Sequence, residues 1–140
     1  MTDCKILTLV DRLERCSLGP AEFHHRDHLT VAVVYLYCAE LERALDKMRA
    51  TLLRFVAHHG GNRYHETATR FWMLQAEKHL DRTLCLQHAV ERVTAALADK
   101  NLIYLYYSRE LLDSVDAKQR WVTPDLIPFT LRLVTSLDDQ

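Results

Sequence analysis

Glycine and proline are scarce: three of each in 140 residues, gathered at Gly19-Pro20, Gly60-Gly61, Pro124 and Pro128. A β-sandwich or barrel needs turn residues every 8–12 positions, so so few breakers argue against an all-β fold. The four cysteines, Cys4, Cys16, Cys38 and Cys85, form no C-x-x-C pair, which leaves neither a zinc ribbon nor a disulfide framework. Unpaired cysteines of this kind suit a reducing compartment, where they pack as small apolar residues. No run of lysine or arginine occurs and the net charge is −1, so a phosphate-backbone footprint is not expected and nucleic acid is excluded as a partner. No apolar run approaches the roughly 18 residues of a membrane span. Met1 to Val10 carries Asp3 and Lys5 in place of an apolar signal core. These absences together predict a soluble, cytoplasmic protein without a membrane partner.

Catalytic signatures are missing too. There is no Gly-rich phosphate loop, no G-x-S-x-G elbow and no H-E-x-x-H. Glu22-x-x-His25 supplies one half of a di-iron carboxylate motif, but the second half is absent. No internal repeat or low-complexity stretch interrupts the chain, whose length fits a single domain.

What is present is helical periodicity. Ile6, Leu9, Val10 and Leu13 mark a first helix with Asp3 as its N-cap, ended by Gly19-Pro20. A second helix is expected from about Ala21 to Cys38. Its stretch Val31-Ala32-Val33-Val34 leaves no side polar, so this helix should be buried all round at the centre of the domain. A third, from about Glu40 to His58, shows the clearest stripe: Leu41, Leu45, Met48, Leu52 and Phe55, its end signalled by His58-His59-Gly60-Gly61 with glycine available as a C-cap. A fourth starts at Tyr64-His65-Glu66-Thr67 and runs to about His79. A fifth, capped by Asp81 or Thr83, carries Leu86, Ala89, Val90, Val93 and Leu97 on one face. Leu102 to Tyr107 reads as a helical turn, since no strand exists for it to pair with. Ser108 and Ser114 are N-caps of two short helices. Trp121-Val122-Thr123-Pro124-Asp125 ends regular structure, and Asp138-Asp139-Gln140 is expected to fray. The predicted fold is therefore all-α: one helical bundle over residues 1–140, with a central buried helix and an irregular C-terminal cover.

Eight histidines stand out more than the charge does, and three open the central helix in Phe23-His24-His25-Arg26-Asp27-His28-Leu29. His25 and His28 lie three apart and His24 and His28 four apart, spacings that share a helix face. Imidazole is a common metal ligand, and a catalytic zinc typically takes three protein ligands plus water. His65 is the natural third, because its face carries Ala68, Trp72 and Ala76. Glu66 shares a face with Thr69, Arg70, Met73 and Glu77, which reads as solvated. It is cast as an acid–base group beside the metal. The expected cofactor is a divalent transition metal (Zn, Fe or Cu) acting on a small-molecule ligand. The alternative is a non-catalytic accessory or interaction protein whose histidines are structural. His58, His59, His79 and His88 read as structural or surface residues; the first two suit a helix C-terminus. Arg63 and Arg70 flank His65 and read as solvated charges, and neither Cys38 nor Cys85 has neighbours that would activate a thiol.

Taken in order, Phe23-x-His25-Arg26-Asp27-His28-Leu29, Gly61-Asn62-Arg63-Tyr64-His65-Glu66-Thr67, Tyr107-Ser108-Arg109 and Trp121-Val122-x-Pro124-Asp125 resemble a family of small uncharacterised bacterial helical proteins. That family is marked by F-x-H-x-x-H-L, K/R-Y-H-E-T and a closing P-D. The likeness spans roughly residues 18 to 128. It implies His25, His28 and His65 with Glu66 as the positions to prefer over His24, and it implies that Asp125 closes over the same pocket.

Overall fold

A computed structural model of the chain describes residues 2–128; the acidic Asp138-Asp139-Gln140 lies outside them. Regular structure among the described residues is helical, with no strand: α1 (Asp3–Glu14), α2 (His25–Cys38), α3 (Leu41–His58), α4 (Glu66–His79), α5 (Leu86–Ala96), and the short α6 (Ile103–Tyr106), α7 (Arg109–Leu112) and α8 (Val115–Gln119), with 3-10 turns at Pro20–Glu22 and Lys100–Leu102. The expected all-α bundle is what the chain forms.

Its axis is α2. Every residue from Leu29 to Leu36 is buried, and the helix packs against α5, α3, α4 and α1. The two hydroxyls in that run are both satisfied: Thr30 donates to the Arg26 carbonyl at 2.9 Å and Tyr35 to the Glu14 carboxylate at 2.6 Å. The α3 stripe behaves as its spacing predicts: Leu45, Met48, Leu52 and Phe55 are buried, joined by Ala44 and Thr51. Full burial of each large apolar side chain contributes roughly 1.5–3 kcal/mol.

Helix ends were less legible. Thr2, not Asp3, caps α1, with its hydroxyl accepting from the Lys5 N–H at 3.3 Å. That helix stops well before Gly19-Pro20. Cys16 takes the left-handed conformation at φ 60°, and the Ser17 and Cys16 N–H groups bond back to the Arg12 and Leu13 carbonyls. Such an ending normally uses glycine. The second helix starts four residues later than expected, because Pro20–Glu22 forms a separate turn and Phe23 and His24 are extended. Asp27 closes the start of α2 by accepting the His24 N–H at 3.0 Å. Neither Asp81 nor Thr83 caps α5. Asp81 instead holds the Thr83 hydroxyl and N–H in the preceding turn, and Cys85 stands at the N-cap.

The end of α3 does follow its glycines. Gly61 N–H reaches the Val56 carbonyl at 3.0 Å and Gly60 N–H the Ala57 carbonyl at 3.1 Å, with Gly60 at φ 76°. A Cβ on Gly60 would meet nothing within 4 Å, so the conformation is the whole cost of a substitution. Gly60→Ala is expected to lower unfolding free energy by about 1 kcal/mol in urea denaturation.

The C-terminal cover is pinned, not loose. Ser108 and Ser114 cap α7 and α8 as expected, accepting from Leu111 and Ala117 N–H at 3.1 Å each. Asp125 accepts from both the Ser108 N–H (2.8 Å) and hydroxyl (2.6 Å), which keeps its carboxyl below the ordinary range. Thr67 on α4 clasps the same segment, donating to the Arg120 carbonyl at 2.7 Å and accepting from the Val122 N–H at 3.1 Å. Tyr107 is fully buried and donates to the Val122 carbonyl at 2.6 Å. No helix among the described residues is long and apolar enough to cross a membrane.

Candidate functional site

Two of the expected site histidines, His25 and His28, lie in the N-terminal part of α2. His25 is its first residue, and its Nε2 lies 2.8 Å from the carbonyl oxygen of Leu97, the residue that ends α5. A helix C-terminus leaves carbonyls without intrahelical partners, and an imidazole N–H satisfies one of them. The His25 ring stands edge-on to Trp72 of α4, centroids 4.6 Å apart. With the proton on Nε2, its Nδ1 keeps a lone pair.

His28 lies one turn further into the core. Its Nε2 is buried and has no hydrogen-bond partner within the protein. Phe23 packs against the ring at 5.8 Å and itself packs on Phe55. Burial, with a smaller contribution from the neighbouring His25, lowers the His28 pKa to about 4. The ring is therefore neutral near pH 7 and offers one unpaired nitrogen to the interior. A buried polar atom without a partner carries a desolvation cost of about 1–3 kcal/mol. His24 contributes its backbone to the α2 cap and is exposed.

His65 is employed differently. It is the N-cap of α4, where its Nδ1 accepts the Ala68 N–H at 3.1 Å. The proton therefore sits on Nε2, which donates to the Leu112 carbonyl in α7 at 2.7 Å. Both nitrogens of this ring are already used. Trp72, the contact of His25, lies seven residues past this cap, about 10 Å of helix rise away. The structure thus places His25 and His28 at the start of α2 and His65 at the N-cap of α4. Among the described residues, no group of three or more His, Cys, Asp or Glu side chains is arranged to hold a metal ion.

Glu66 overturns the expectation of a solvated face. It is buried, as are Thr69 and Met73 beside it, because α3 packs there. Arg49 of α3 grips its carboxylate with both arms, Nε to Oε1 at 2.9 Å and Nη2 to Oε2 at 2.6 Å. The Tyr64 hydroxyl donates to Oε1 at 2.6 Å. The Arg49 bonds outweigh burial and hold the Glu66 carboxyl below its ordinary range, while burial and the bond to Glu66 push the Tyr64 phenol up. A carboxylate so gripped suits an anchor between helices, since a general base must be able to take a proton. No local signal announces the pair, because Arg49 and Glu66 lie 17 positions apart on different helices.

The remaining candidates disperse. Asp125 sits at the start of α7, where it holds Ser108. Arg70 lies over Trp121 and 3.9 Å from Glu42, and Arg63 is exposed. Cys38 and Cys85 are exposed thiols. His59 holds the Leu18 carbonyl at 3.1 Å and packs on Phe55, so it ties the end of α3 to the loop before α2. Compared with family models, curated proteins and solved structures, the chain shows no match.

Proposed function

We propose that this chain is a non-catalytic accessory or interaction domain in which the histidines brace the framework. One observation carries the reading: His25, His59 and His65 each spend a ring nitrogen on a backbone carbonyl of a distant segment, Leu97, Leu18 and Leu112. Glu66, the acid–base candidate, is consumed in the same way by Arg49 and Tyr64. A surface that a partner would cover is also present, since Leu105, Leu126 and Ile127 stay exposed near the Leu126–Tyr106 backbone bond.

The reading predicts stability effects that ignore metal. His65→Ala removes an N-cap and a tie to α7, and is expected to cost about 2 kcal/mol in urea denaturation. His65→Asn, which keeps the cap, recovers about 1 kcal/mol of it. Both values should be the same in chelator and in buffer supplemented with Zn, Fe or Cu.

A second reading, favoured by the unpartnered His28 Nε2, is a divalent transition metal held by His25 Nδ1 and His28 Nε2. Recruiting His65 would require it to give up both of its present hydrogen bonds. Metal analysis and thermal melts separate the two. A melting temperature raised by Zn, Fe or Cu, and no longer raised in His28→Leu, supports the metal and tells against the bracing role.

A further inference from the structure

A cavity of about 440 Å³ opens between α1, α2 and α3, away from the histidines. Each helix lines it with residues one turn apart: Val10 and Glu14, Val34 and Cys38, Arg43 and Lys47. The floor is apolar, with Val10, Val34 and Ala44 all buried. The polar groups are not evenly matched. The Glu14 carboxylate is taken by the Tyr35 hydroxyl at 2.6 Å and by Lys47 at 3.9 Å. The Lys47 ammonium also rests over the Tyr35 ring at 5.2 Å. Arg43 makes no ion pair among the described residues and is exposed at the rim.

Two cations therefore face one carboxylate, so the lining carries one positive charge in excess over an apolar floor. We propose that this cavity binds a small amphipathic monocarboxylate, its chain on Val10, Val34 and Ala44 and its carboxylate on the Arg43 guanidinium. The volume lies in the range of small-ligand sites. A guanidinium fork matches a carboxylate through two parallel hydrogen bonds, which an ammonium cannot reproduce. This site is independent of the bracing role of the histidines, and neither stands or falls with the other.

Octanoate is the probe, titrated calorimetrically against the full chain, with octylamine as its charge-reversed counterpart. Saturable one-to-one binding of octanoate and none of octylamine are expected. Arg43→Gln should weaken octanoate about tenfold, and Arg43→Lys should recover only part of that loss. Arg43 is exposed, so both variants should fold as the parent does, which thermal melts verify. Cys38 on the cavity wall supplies a second readout: octanoate should slow its alkylation, followed by peptide mass spectrometry, and leave Cys4 and Cys85 unaffected. Absence of saturable binding, equal binding of octylamine, or octanoate affinity indifferent to Arg43→Gln overturns the proposal.

Discussion

Between pH 7 and pH 4 the unfolding free energy of this protein is expected to fall by up to about 3 kcal/mol through His28 alone. An unfolded chain protonates this histidine near 6.5, whereas the folded chain resists until about 4. Within that interval the unfolded state binds more protons, so the contribution is complete above 6.5 and is lost as the pH falls toward 4. His79, also lowered by burial, adds a smaller effect of the same sign, which a His79→Gln control isolates. Glu66, Asp81 and Asp125 have lowered values, so what they contribute starts to be lost only near the ordinary carboxylate values of 4.5 and 3.8, at the acid end of the His28 window, and goes on being lost below it. His28→Leu should flatten the profile between pH 6.5 and 4.5. Because it also removes the unpaired nitrogen, it should be at least as stable as the parent at pH 7. Urea denaturation across this range decides the matter. Parallel pH profiles for parent and variant would mean that His28 protonates freely in the folded state.

Arg49→Leu is expected to destabilise by about 3 kcal/mol at pH 7, the larger part of it from leaving the Glu66 carboxylate buried without its cation. The figure sits at the low end for broken buried pairs because Arg49 is itself 31% exposed and water screens it in part. The sign against pH is opposite in kind to a raised group. The Glu66 carboxyl is held low in the folded state, so the pair contributes above the ordinary carboxylate range and is lost as the pH falls through the folded value. The difference between parent and Arg49→Leu should therefore shrink in acid. Arg49→Leu with Glu66→Leu should recover much of the loss at pH 7, since two apolar side chains can replace a buried ion pair. A double variant no better than the single one would show that the leucines do not pack between α3 and α4.

What the amino-acid order determined by itself is the set of helices and their buried faces. Val31 to Val34 announced a helix wrapped on every side, the Leu45-Met48-Leu52-Phe55 stripe announced its partner, and Ser108 and Ser114 announced their short helices. These properties arise from neighbours within a turn or two, so local spacing contains them. The ending of α1 escaped because Cys16 adopts a glycine-like conformation without being glycine. The site escaped further. Spacing placed His25 and His28 on one face, but only tertiary packing decided that His65 would cap α4 and bond Leu112, and that Glu66 would meet Arg49. Such pairings depend on which helix faces meet and at what register, and that is a property of the whole packed core, not of any stretch within it.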